Sequence, residues 1–244
     1  MDFTYIGYSR LITKLRDQGY AIANYQTWKE MGRCVILRHD VDNDLERAAK
    51  LAEFEQSLGI RSTYFLLLTS DFYNVFSKES EKLLKRIWGG RHDIGLHFDE
   101  ARYPKALGDP QALTDKILYE ADILSMATGM PVSVVSMHRP SRGILDADIH
   151  IPNMVNSYGK TFFRKFKYLS DSRRRWREPI EEIIDSAEYD RLHILTHPFW
   201  YSEKERDMHH AVAGFINSAN LQRYCQMEKN ITDLESIMGR GEVL

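Results

Sequence analysis

The sequence predicts an α/β fold: an irregular (β/α) barrel of mostly parallel strands, forming one domain over residues 1–244. Short apolar β-like runs alternate with amphipathic helical stretches, the pattern that builds a parallel sheet. The links between them are short, which favours one barrel over two domains in a chain of 244 residues. Ionisable residues gather where the strand-like runs end, which is where barrels of this class keep their chemistry.

Thr4 to Arg16 reads as a first helix, with Ile6, Leu11, Ile12 and Leu15 along one face. Cys34 to Leu37 is a buried strand that runs on into Arg38-His39-Asp40-Val41-Asp42. Asp44 caps a helix that ends near Leu58, before Gly59. Ser62 to Leu68 is a second strand, Lys78 to Trp88 a helix closed by Gly89-Gly90, and His92 to Phe98 a third strand. Pro110 to Thr128 is a long helix, capped by Asp109 and stopped by Gly129. Val132 to Met137 is a fourth strand, Phe166 to Leu169 a weak one and Leu192 to Thr196 a strong one. Glu203 to Met238 is mostly helix, with a break expected near Asn230.

The bulk numbers exclude several classes. Hydrophobic residues make up 43% and charged residues 28%, as in a soluble globular protein, and no apolar run is long enough to span a bilayer. A formal net charge of −2 supplies no field to gather nucleic acid or an anionic membrane. Arg173, Arg174, Arg175 and Arg177 form a local basic cluster, read either as a solvated loop or as a contact for a phosphate or acidic sugar. Cys34 reads as a buried free thiol, and two distant cysteines make no disulfide framework. Met1 to Tyr8 has no charged leader before an apolar core, so a cytoplasmic protein acting on an intracellular precursor is the expectation.

Arg38, Asp40 and Asp42 share one face of the first long strand, because side chains alternate along a strand. Two neighbouring carboxylates tolerate burial when a cation lies between them or one takes a proton. Other strand-like runs end in His97-Phe98-Asp99-Glu100, in His138-Arg139 and in His197. With His39, four of the nine histidines fall at strand ends. Mixed Asp and His donors suit zinc or a similar first-row ion. A spare carboxylate then serves as general base and a spare histidine as general acid.

Taken together, these segments resemble the polysaccharide deacetylase family, also called the NodB-homology domain or carbohydrate esterase family four. The resemblance spans about Arg33 to Trp200, and its motifs come in the family's order. They are Asp40-Val41-Asp42, His92-Asp93-Ile94-Gly95 leading to His97, Arg139-Pro140-Ser141-Arg142-Gly143, Asp171 with Trp176, and Leu195-Thr196-His197. The resemblance implies a NodB-like barrel and a metal-dependent deacetylase that removes an N-acetyl group from a sugar. It implies that Asp40 is the base, that Asp42 and His97 are metal ligands, and that Arg139 orients Asp40. It further implies that His197 protonates the departing amine, that Asp171 holds Arg139 or His197, and that Trp176 walls the acetyl pocket.

The chain departs from the family at Ala101, where a second ligand histidine usually stands. Asp99, Glu100 and His138 are the candidates for the third ligand, with His138 and Glu100 ahead. His39 faces away from Asp40 and reads as structural, as does His92. Phe199, Trp200 and Tyr201 either stack on a sugar ring or fill the core; Trp200 and Tyr201 join Trp176 as substrate contacts. The whole set resembles a branch associated with bacterial surface-polysaccharide biosynthesis, which implies a carbohydrate substrate that is nucleotide- or lipid-linked. Zinc is the expected metal, with nickel, cobalt or iron as alternatives. Two other readings use the same residues: an amidohydrolase acting on a small non-sugar amide, and a non-catalytic sugar-binding protein.

Overall fold

The structure, a computed structural model, describes residues 1–243. Two compact units are present, one over Met1–Glu203 and a second beginning at Lys204. In the first unit the chain runs α1 (Tyr5–Asp17), β1 (Ala21–Ala23), β2 (Cys34–Val41), α2 (Leu45–Ser57), β3 (Thr63–Leu67), α3 (Lys78–Gly89) and β4 (Asp93–Phe98). It continues through α4 (Pro110–Thr128), β5 (Val134–Met137), α5 (Arg142–Ala147), β6 (Val155–Asn156), α6 (Lys160–Arg164), β7 (Lys167–Ser170), α7 (Ile180–Ser186) and β8 (Arg191–Thr196). The second unit holds α8 (Met208–Glu228) and α9 (Leu234–Ile237), so the expected C-terminal helix is present and breaks after Glu228.

All strand pairings are parallel, in the order β6-β5-β4-β3-β2-β8-β7, with β1 alongside the first half of β2. The sheet curls, and β6 and β7 end the path unpaired with each other, so the barrel is irregular and open. The α/β barrel expected from the alternating pattern is therefore the observed fold.

Alternation along β2 decides where its residues go. Val35 and Leu37 face outward and pack with Leu11, Ile12 and Leu15 of α1 and Ile180 and Ile184 of α7. Cys34 and Ile36 face inward, against Tyr25, Trp28, Phe65 and Phe162. The same alternation carries Arg38 and Asp40 inward, higher in the barrel. Gly95 on β4 is required there, since a Cβ would stand 2.6 Å from the Phe65 ring. That ring in turn lies under the Arg38 guanidinium, 4.9 Å from its centroid.

Caps fix the helix ends as the sequence suggests. Asp44 accepts a hydrogen bond from the Arg47 amide at 3.0 Å, worth about 1 kcal/mol. Asp109 accepts from Gln111 and Ala112, and Gly129 ends α4 in the left-handed region at φ 68°. The elements that the sequence pattern misses are short: β1 and β6, with three and two residues, and α5 to α7. Cys34 is a buried free thiol as expected. In the basic cluster, Arg174 lies over the Phe3 ring at 4.9 Å, while Arg173, Arg175 and Arg177 are exposed.

Candidate active site

The tips of β2, β4, β5, β7 and β8 meet at the C-terminal end of the barrel. Asp42 lies one residue past β2. The backbone there is held by the loop after β3: Ser70 Oγ donates to the Asp42 carbonyl at 2.8 Å and the Tyr73 hydroxyl to that of Val41 at 2.7 Å. His97 comes from β4 and His138 from just past β5.

Their donor atoms converge. Asp42 Oδ1 is 3.2 Å from His97 Nε2 and 3.5 Å from His138 Nδ1, and the two ring nitrogens are 3.2 Å apart. Tetrahedral zinc ligands at ordinary bond lengths stand about 3.3 Å from one another. Asp42 Oδ1 is buried and receives no hydrogen bond, a costly state for a carboxylate oxygen unless a cation serves it. The trio of Asp42, His97 and His138 therefore has the donor set and spacing to hold a divalent ion. Burial works against the Asp42 carboxylate, but the facing imidazoles of His138 and His97 hold its pKa well below the usual range.

Asp40 stands beside this trio, with Oδ2 3.6 Å from His97 Nε2. Its partner is Arg38. Nη2 donates to Oδ1 at 2.9 Å and Oδ2 at 2.7 Å, and Nε donates to Oδ1 at 3.2 Å. Burial raises the Asp40 pKa, but Arg38 foremost, with His97 and His197, brings it below the ordinary carboxylate value. Arg38 is closed to solvent, and Nη1 donates to Ser157 Oγ at 3.0 Å while Nη2 also donates to Ser136 Oγ at 2.6 Å.

His197 follows β8. Its Nδ1 lies 2.6 Å from Asp171 Oδ1, and its backbone N–H donates to Asp171 Oδ2 at 3.1 Å. Burial pushes the imidazole toward neutrality, but the Asp171 carboxylate, helped by Asp40 and Asp42, lifts its pKa to about 9. Asp40, Asp42 and His197 line one small depression of about 30 Å³ with Phe199 and Trp200. Phe199 is clamped by Arg47, whose guanidinium lies 4.7 Å over the ring.

The structure thus brings together Asp40, Asp42, His97, His138, Asp171, His197 and Trp200. Five expected residues stand elsewhere. Arg139 is exposed, at φ 47°, and is not a partner of Asp40; the residue that pairs with Asp40 is Arg38. Glu100 is buried but occupied by Ser141: Oε2 accepts from the Ser141 hydroxyl at 3.1 Å and Oε1 from its amide, which braces the start of α5. Asp99 caps the turn at Glu100–Arg102. Tyr201 is only 1% exposed and packs edge-on against Phe3 and Tyr8, so it belongs to the core. Trp176 packs on that same outer cluster. Sequence reasoning missed Ser136 and the role of Arg38, although Arg38 already stood on the Asp40 face of β2.

No family model matches the chain, and no curated protein matches it. Solved structures do. A Streptococcus mutans CE4 esterase is 17% identical, covers 88% of this chain and 90% of its own, and superposes with a TM-score of 0.51. The fold is that of the carbohydrate esterase family four domain. The catalytic domain of the peptidoglycan N-acetylglucosamine deacetylase from Eubacterium rectale is also similar, at 12% identity over 84% of this chain and 90% of its own, with a TM-score of 0.48.

Proposed function

We propose that the chain is a metal-dependent deacetylase, with zinc as its metal, that removes an N-acetyl group from a sugar. The observation that carries this reading is the convergence of Asp42, His97 and His138 between a paired carboxylate, Asp40, and a carboxylate-held imidazole, His197. One group set to take a proton and another set to give one flank a metal-fitting trio, which is what amide hydrolysis needs. A divalent ion held by Asp42, His97 and His138 supplies Lewis acidity toward the amide carbonyl and the attacking water.

The chain's own residues do the rest. Asp40, kept ionised by Arg38, accepts the proton of the water at its carboxylate. His197, kept protonated by Asp171, donates from Nε2 to the nitrogen of the departing amine. Asp171 holds Nδ1 and the His197 amide, so the ring presents the opposite nitrogen to the depression. Trp200, with Phe199, offers an aromatic wall beside these groups for a pyranose ring.

The substrate we assign is a nucleotide- or lipid-linked precursor of a bacterial surface polysaccharide, processed in the cytoplasm. This assignment is supported by the sequence resemblance to that biosynthetic branch. Among the described residues, no helix is long and apolar enough to cross a membrane.

Elemental analysis tests the reading first. Near-stoichiometric zinc in the wild type, lost in Asp42→Ala and His97→Ala, with acetate released from N-acetylated sugars by the wild type alone, is the expected result. A wild type that holds no metal and takes up none on addition would sink it.

A further inference from the structure

Ser136 lies on β5, closed to solvent, and no sequence motif singles it out. Its Oγ lies 2.6 Å from Arg38 Nη2 and 2.9 Å from His97 Nδ1. We propose that Ser136 is a positioning residue: its hydroxyl ties the guanidinium that holds Asp40 to the ring of His97, and so sets base and ligand in register. The proposal rests on the reading of Asp40 as base and His97 as metal ligand.

The direction of the bonds follows from what each group is able to do. A guanidinium only donates, so Ser136 Oγ accepts from Arg38. Arg38 is itself held on several sides. Nη1 is bonded to Ser157, Nη2 to both oxygens of Asp40, and the guanidinium lies between the rings of Phe65 and Tyr158, at 4.9 and 5.1 Å. Ser136 Oγ is therefore a fixed point. Meeting His97 at Nδ1, it leaves Nε2 facing Asp42 and His138. For Nε2 to offer a lone pair to a metal, Nδ1 must carry the ring proton, and Ser136 Oγ has a second acceptor site for it. Without the hydroxyl, Nδ1 loses its side-chain partner and the ring is free to tilt or flip.

Ser157 provides the control. It also accepts from Arg38, at 3.0 Å, but its hydroxyl is bonded to the far side of the guanidinium and has no bond to His97. Its removal takes a partner from Arg38 without touching the ring.

The test uses the full chain as Ser136→Ala, Ser136→Thr and Ser157→Ala, with two readouts. The first is the ring-nitrogen NMR resonances of His97 in metal-free protein; the second is zinc affinity by chelator competition. Ser136→Ala is expected to shift the His97 ring resonances and weaken zinc binding about ten- to a hundredfold. Ser136→Thr, which keeps the hydroxyl, restores both, and Ser157→Ala moves neither. A folded Ser136→Ala with wild-type resonances and wild-type zinc affinity overturns the proposal. So does a Ser157→Ala effect of equal size, because the influence would then run through Arg38 alone. If Ser136→Ala does not fold, Ser136→Cys, similar in size but a weak hydrogen-bonding group, is judged by the same two readouts. A wild type that binds no zinc, yet whose His97 ring responds to Ser136→Ala, removes the metal reading and leaves the Ser136–His97 contact supported.

Discussion

Arg38 and Asp40, two residues apart on one face of β2, form an ion pair with side-chain exposures of 0% and 4%. Such a pair is costly to break from one side, since the survivor is a buried charge without its partner. Arg38→Met is therefore expected to destabilise the protein by about 3–5 kcal/mol and to raise the Asp40 pKa. The double variant Arg38→Met with Asp40→Asn should recover much of that stability while remaining inactive. Urea unfolding of the two variants checks this. Equal stability of both would show that the lone carboxylate is not the source of the loss.

The two acids considered for the third ligand position separate cleanly from His138. Glu100 is bonded to Ser141 on the far side of the β5 turn, whereas His138 Nδ1 is 3.5 Å from Asp42 Oδ1. His138→Ala should lose zinc as Asp42→Ala does. Glu100→Gln should keep zinc and lose about 1–2 kcal/mol of stability, from a weakened brace at the start of α5. Metal content and thermal unfolding of the two variants together decide between them. Zinc lost from Glu100→Gln but kept in His138→Ala would reverse the assignment.

His197 gives the site a pH dependence with a definite sign. Its pKa of about 9 means that the imidazole is protonated below that pH and neutral above it. In its proposed role as proton donor to the leaving amine it is competent through neutrality, and kcat/KM should fall as pH rises past about 9. In Asp171→Asn the carboxylate that lifts the pKa is gone. The falling limb should then move toward the ordinary histidine value of about 6.5, with activity at pH 8 down by about thirtyfold. A pH–rate profile with an unmoved alkaline limb in Asp171→Asn would exclude His197 as the proton donor.

The barrel was legible because its strands are β-rich apolar runs with strong helix caps between them. Asp44, Asp109 and Gly129 occupy the cap positions that the sequence assigned them. Asp40, Asp42, His97 and His197 were legible because they stand where apolar character stops. What the sequence could not show was partner choice across strands. Arg38 stands two residues before Asp40, whereas Arg139 was singled out by its motif. The register of β2 and the inward turn of its side chain put Arg38 on Asp40, while the backbone at Arg139 turns left-handed and carries its side chain out. Ser136 gave no signal, because a serine in an apolar strand looks like filler until its two neighbours are seen. Tyr201 looked like part of a sugar platform because it follows Trp200, but the turn at Pro198–Trp200 sends it into the core.

Behind the site, on the outer face of β2, Glu55 of α2 is wholly buried, and its pKa has a consequence for stability. It accepts from Tyr8 at 2.5 Å, Ser62 at 2.5 Å and Tyr64 at 2.9 Å, and lies 3.0 Å from His39 Nε2. Burial raises its pKa, but His39, His92 and the Ser62 hydroxyl more than offset that and bring it to about 2. A folded-state pKa below the unfolded value contributes stability above the unfolded pKa, near 4.5, and loses it as pH falls toward about 2. His39 Nδ1 lies 2.6 Å from the hydroxyl of Thr196, the residue before His197, so this network also steadies the strand that carries His197. Glu55→Gln should cost about 3–5 kcal/mol at pH 7, by removing the charge that the network was built around. It should also flatten the fall in stability between pH 4.5 and 2. Urea unfolding across that range checks both, and an acid limb as steep in Glu55→Gln as in the wild type would assign the acid sensitivity to other carboxylates.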